Sequence, residues 1–279
     1  MTLTVLLALL LVGLAVGFAS GLIGIGGGVL IVPFLYFFYN HPAWSGTRLA
    51  PTLHAEVAHA TSLFIILPTA LLGVRQYAKG NLVEWRAAVP IALFSILGSL
   101  TGVYLETRLP EPLLRVFFGA LLIVVGFQLL RSSERISTLP LNLGVGRMAA
   151  TGILVGLLSA MLGVGGGVVA VPMLIYLVHL EIRKTAATSL AIVAAAGATG
   201  TVSYLIAGLN TPGLPPGSIG YIHVLAALPI LVGSALSVRL GTHVNQRMNS
   251  RALRMMFAWV FIVLGSRLLW QNIPEFLNL

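Results

Sequence analysis

The amino-acid sequence predicts an all-α polytopic membrane protein of two inverted-topology repeats, each of about five transmembrane or half-membrane helices, about ten in total. Three observations lead there: the composition, an internal duplication, and two apolar runs too long to cross a bilayer once. Of 279 residues, 58% are hydrophobic and only 8% are charged, and the mean hydropathy is +1.00. A water-soluble domain needs roughly a quarter of its residues charged. Residues 1 to 47 and 148 to 180 contain no Asp, Glu, Lys or Arg, so the bilayer is the solvent and the first partner. The formal charge of +9 comes from 16 Lys and Arg scattered in short connectors, as the positive-inside rule requires. No basic patch or arm forms, which argues against nucleic acid. With no cysteine, disulfides and thiolate metal sites are excluded.

The duplication is read without gaps. Gly17 to Phe37 aligns with Gly156 to Tyr176 at an offset of 139, with ten identities that include Ser20/Ser159, Gly24/Gly163, Gly26/Gly165, Gly27/Gly166, Gly28/Gly167 and Pro33/Pro172. Ala60-Thr61-Ser62-Leu63 then matches Ala187-Thr188-Ser189-Leu190 at 127, as do Gly73/Gly200 and Tyr77/Tyr204. Pro90/Pro229, Gly102/Gly241, Arg115/Arg254 and Gly126/Gly265 return to 139. The first copy therefore has about twelve extra residues around 40 to 55, and the second regains them in its loop from Gly208 to Gly220. The expected organisation is a first repeat over 1–135, a cytoplasmic linker over 136–146 and a second repeat over 147–279. The start, Met1 to Gly21, has a small-residue stretch at Phe18-Ala19-Ser20, but it lacks a basic n-region. The same segment recurs inside the chain, so a retained helix is expected rather than a signal peptide.

Runs of single-span length, ~20 apolar residues, lie at 57–74, 87–105, 113–130, 186–207, 219–238 and 252–270. The runs 3–39 and 145–180 would reach ~50 Å as helices, against a hydrocarbon core of ~30 Å. Each must turn back, and the glycines lie where it would turn. Connectors with Arg75, Lys79 and Arg86, with Arg131, Arg135 and Arg147, with Arg183 and Lys184, and with Arg239, Arg247, Arg251 and Arg254 are net positive and are expected to be cytoplasmic. Both termini and the loops at 40–56, 106–115 and 208–220 are expected on the other side. One path satisfies this labelling: each glycine-containing run enters and leaves on one side, five segments per half, the second half inverted. Secondary transporters are commonly built this way, with the substrate near the midplane.

The breaks are Gly24-Ile25-Gly26-Gly27-Gly28 and Gly163-Val164-Gly165-Gly166-Gly167. Glycine admits backbone conformations closed to other residues and leaves main-chain amides open to a ligand. Such amides can form an anion-binding nest, reinforced by the positive end of the helix that follows. Irregular backbone at membrane depth is tolerated where protein encloses it. These eight glycines, with Ser20 and Ser159 beside them, are thus candidate substrate ligands, expected to meet across a central cavity. The plainer alternative is close helix packing on small residues. A dinucleotide site is a poor fit, since no strand precedes the glycines and no acidic residue follows at the required distance.

With those residues in view, the chain resembles the sulfite exporter TauE/SafE family of anion permeases. The likeness rests on Gly21-Leu22-Ile23-Gly24-Ile25-Gly26-Gly27-Gly28 with Pro33, its partner ending at Pro172, and the two Ala-Thr-Ser-Leu segments. It implies a bacterial-type inner-membrane permease that moves sulfite or a related organosulfur anion, usually outward, without fixing the substrate. An uptake permease for the same anions and a membrane protein without transport activity are the alternatives.

Other polar groups have two readings each. Thr61, Ser62, Thr188 and Ser189 are placed in the first turns of equivalent helices, where they either hydrogen-bond an oxyanion or back-bond to their own helix. Glu56 lies one helical turn before His59, which replaces Ala186 of the other copy. The pair either shares a proton or sits at the membrane boundary. Arg183 and Lys184 either draw an anion to the cytoplasmic mouth or only set orientation. No His, Asp or Glu spacing suits a metal and no nucleophile has a base nearby, so neither cofactor nor enzymatic activity is expected. The sequence leaves room for a homodimer.

Overall fold

A computed structural model describes residues 3–45, 49–50, 53–106, 111–131 and 140–276. Expectations on both chain ends, on 46–48 and 51–52 of the 40–56 loop, on 107–110, on 132–135 with Arg135 at the end of the first repeat, and on 136–139 of the linker lie outside the described residues. The helices are α1 (Leu3–Ile23), α2 (Gly28–Asn40), the single turn α3 (Pro42–Ser45), α4 (His54–Ala78), α5 (Trp85–Glu106), α6 (Glu111–Arg131), α7 (Val145–Leu162), α8 (Gly167–Tyr176), α9 (Ile182–Ala207), α10 (Val224–Arg247) and α11 (Ser250–Phe276). Among the described residues, apart from α3, each half contributes five helices in the same order, and seven of the ten are long and apolar enough to cross a membrane. The all-α expectation needs one addition. The apolar run at 219–238 becomes helical only at Val224, because Ser218–Ile219 and Ile222–His223 pair as a short antiparallel ribbon (β1, β2). Gly220, with φ of 56°, makes the turn between them.

The surface is the inverse of a soluble protein's. Along α10, Leu225, Leu228, Val232, Leu236 and Leu240 face outward, while Ala226, Ile230, Gly233, Ser234 and Ser237 face the interior. Water would penalise this arrangement; lipid does not, and hydroxyls then find their partners inside.

Small residues set the helix pairing. Gly13, Gly17 and Gly21 recur every fourth position on α1, and a Cβ at any of them would collide with the carbonyl oxygens of Ile230, Ser234 and Val238 on α10. Gly152 and Gly156 of α7 press in the same way on Ile91 and Ser95 of α5. The two pairs are symmetry-related: the first helix of each half runs parallel to the fourth helix of the other. Equivalent helices also meet. In α4 and α9, Gly73 packs on Leu190 and Gly200 on Leu63; in α6 and α11, Gly126 packs on Ile262 and Gly265 on Ile123. Both of these pairs are antiparallel. Equivalent elements packed antiparallel are related by a half-turn about an axis across the helices, the relation an inverted repeat requires.

The long runs do turn back. Asn142 N–H donates to the Val178 carbonyl (2.9 Å) and Arg147 to that of Leu177 (3.3 Å), which ties the start of α7 to the end of α8. In the other half, Tyr39 near the end of α2 reaches His223 at the start of α10, and α1 runs parallel to α10. Gly17→Ala and Gly156→Ala should each destabilise the protein by about 1–3 kcal/mol through overpacking, read as a lowered thermal midpoint in detergent. Gly146→Ala, with no atom within 4 Å of its added methyl, is the silent control.

Candidate functional site

The two breaks lie on the pseudo-two-fold axis and touch. A Cβ on Gly28 would fall 2.5 Å from the Cα of Val164, and one on Gly167 would collide with that of Ile25. Gly26 and Gly165 are both covered by Ile66 of α4 and its counterpart Val193 of α9. The expected central cavity is thus closed between the breaks in this state: main chain meets main chain, and two branched side chains fill the centre.

The glycines divide into two kinds. Gly24, Gly26 and Gly27 have φ of 78°, 79° and 82°, and Gly163, Gly165 and Gly166 have 61°, 80° and 73°, so these six make the turn, which an L side chain would strain. Gly28 and Gly167 have ordinary backbone and permit the close crossing. Close packing is thus shared: Gly13, Gly17, Gly21, Gly152 and Gly156 serve the helix pairs, and within the breaks Gly24 presses on Ala186 of α9 and Gly163 on His59 of α4. Gly27 and Gly166 are the N-caps of α2 and α8, and neither helix has a side-chain cap.

Around the breaks, polar side chains come in symmetric pairs. Ser62 donates to the Gly163 carbonyl (2.7 Å) and Ser189 to that of Gly24 (2.8 Å). Tyr77 donates to the Gly21 carbonyl (2.6 Å) and Tyr204 to that of Ala160 (3.0 Å). Thr61 accepts the N–H of His223 and Thr188 that of Glu84, both at 3.0 Å. The threonines lie deeper than the first turn expected for them, because α4 starts at His54 and α9 at Ile182. Ser62 and Ser189 use their protons on break carbonyls, so in this state they hold the turns in shape and do not offer a donor to an anion.

Ser20 and Ser159 differ. Both are fully buried, and neither Oγ has a hydrogen-bond partner. They stand beside the uncapped helix starts: Ser20 Cβ is 3.7 Å from where a Gly27 Cβ would be, and Ser159 Cβ is 3.0 Å from that of Gly166.

A family model, Sulfite exporter TauE/SafE, matches residues 9–268. The chain belongs to the TauE/SafE sulfite exporter family. Relatives in the family include a probable membrane transporter protein of Methanocaldococcus jannaschii, 28% identical over 92% of both chains. Another, from Bacillus subtilis, is 27% identical over 95% of this chain and 97% of its own, and one from Haemophilus influenzae is 29% identical over 94% and 97%. No solved structure is a significant match. The protein is thus a multi-pass membrane transporter of this family.

At one end of the bundle, Glu56 opens α4 half-buried. His59 is fully buried, packed against Gly163, with its ring edge-on to Tyr36 at 6.1 Å. It is therefore part of the protein interior. At the other end Lys184 pairs with Glu84 at 3.0 Å, and Arg183 and Lys184 line a cavity of about 300 Å³ with Glu181, Asn245, Gln246 and Leu82. Burial holds the imidazole of His223, just before α10, down to about 4, so the ring is neutral.

Sequence reasoning passed over Tyr77 and Tyr204 as ligands of the breaks, although their recurrence at the 127 offset was the signal that marks them. Glu84 and His223 were hidden because the two copies carry different residue types at one equivalent position. Ser62→Ala and Ser189→Ala should each cost about 1–3 kcal/mol by leaving a buried carbonyl unpaired. By symmetry, denaturation in detergent should show similar losses for the two.

Proposed function

We propose that this protein exports a small oxyanion, sulfite or an organosulfonate, by alternating access, with the anion held at the crossing of the two breaks. The observation that carries this is the pair of buried, unpartnered hydroxyls of Ser20 and Ser159 beside two uncapped helix starts. An unsatisfied buried hydroxyl costs ~1–3 kcal/mol, so two at symmetric positions are more economically explained by a ligand than by packing. The N-termini of α2 and α8 carry the positive ends of their helix dipoles, which suits an anion. Thr61, Ser62, Thr188 and Ser189 act behind them, shaping the breaks and their surroundings.

The end with Arg183, Lys184 and Arg247 is the cytoplasmic one on charge grounds, in a bacterial inner membrane, with both termini outside. An inside-negative potential then favours outward movement of an anion by ~2.3 kcal/mol per 100 mV and charge, which supports export over uptake.

Two measurements test this. Purified protein in liposomes should move sulfite or a sulfonate, with Ser20→Ala and Ser159→Ala each raising KM about fivefold to tenfold for loss of one donor; a panel of sulfite, sulfate, thiosulfate and sulfonates that all fail to move would overturn the substrate class. A reporter fused after Leu279 should read as non-cytoplasmic, and a cytoplasmic signal would break the five-plus-five topology.

A further inference from the structure

The two ends of the bundle carry matching contacts at equivalent positions. The residue that precedes the fourth helix of each half, Glu84 before α5 and His223 before α10, donates its main-chain N–H to the motif threonine of a central helix: Thr188 of α9 and Thr61 of α4, at 3.0 Å in both cases. The side chain of that same residue then makes a second bond at the same end. Glu84 Oε2 accepts from Lys184 Nζ of α9 at 3.0 Å, and His223 Nδ1 lies 3.3 Å from the Tyr39 hydroxyl of α2. Thus one backbone bond is conserved by the symmetry, and a second, chemically different bond reinforces it.

These contacts lie where moving parts would have to separate. The pairs α1 with α10 and α5 with α7 pack backbone to backbone along their glycines, and close-packed elements move as units. The central pair α4 and α9 carries the symmetric Ile66 and Val193 against the breaks. Opening the crossing towards one end requires the start of α10 to leave α4; opening it towards the other requires the start of α5 to leave α9. Thr61 and Thr188 are where those starts are fastened.

We propose that Thr61 with His223 and Tyr39, and Thr188 with Glu84 and Lys184, are the two gates of the transport cycle, each released when its own mouth opens. This rests on the alternating-access reading above. The gates differ in chemistry. The ion pair at the Glu84 end is partly open to solvent, with Lys184 34% and Glu84 17% exposed, so dissolved salt weakens it. The gate at the His223 end is made of neutral groups, with His223 3% exposed, and salt does not reach it.

The chain has no cysteine, so a single reporter can be placed at Val193→Cys, fully buried at the crossing. Labelling by a membrane-impermeant maleimide is then followed from each face in right-side-out and inverted vesicles. Glu84→Gln or Lys184→Met should raise the rate about fivefold or more from the Glu84 face only, and the swap of Glu84→Lys with Lys184→Glu should return it. Tyr39→Phe should do the same from the His223 face only. Thr61→Ser and Thr188→Ser, which keep the hydroxyl, should label as the parent does, and raised salt should speed labelling from the Glu84 face alone. Variants that retain their thermal midpoint yet label equally from both faces, or like the parent from both, would overturn the gates. Labelling needs no substrate: flux with symmetric labelling would keep transport and remove the gates, whereas one-sided labelling without flux of any anion tested would do the reverse.

Discussion

The crossing of two glycine breaks is the constraint on which the rest of this structure depends. Gly28 against Val164 and Gly167 against Ile25 bring two main chains into contact at the centre of an apolar bundle, a place where every backbone polar group needs a partner. The partners come from the central helices: Ser62 and Ser189 bond break carbonyls from opposite sides, and Tyr77 and Tyr204 bond the carbonyls just before the breaks. Because each break is satisfied largely by α4 and α9, those helices must pass next to it, and their antiparallel packing follows.

The same constraint explains the division of labour among small residues. The short α2 and α8 that follow the breaks cover little of α1 and α7, and each of these packs mainly on the fourth helix of the opposite half. Glycines every fourth residue let those pairs approach until carbonyls occupy the space a Cβ would need. The result is two glycine-packed pairs flanking a central pair, with α10 packed on α4 and α5 on α9.

Much of this was legible in the residues. The apolar runs gave the helices to within a few positions, since in lipid length and hydropathy are nearly sufficient. The repeat of Gly24 to Gly28 at Gly163 to Gly167 marked the turning points because a left-handed backbone in three residues of each break leaves little choice but glycine. The ribbon at Ser218 to His223 was not legible, being short enough to read as the start of α10. Nor was the role of Ser62 and Ser189: a serine on a helix has the same sequence signature whether it bonds its own turn, another chain segment or a ligand.

By itself the sequence determined the solvent, the number of helices and the duplication, because these follow from composition, run length and self-similarity, which are properties of the chain read in one dimension. Only the tertiary structure decided which hydroxyls are committed and which are free. Ser20 and Ser62 both sit near a break and both are buried; what separates them is whether a carbonyl lies within reach. That depends on how two halves far apart in the chain are set against each other by the half-turn that relates them.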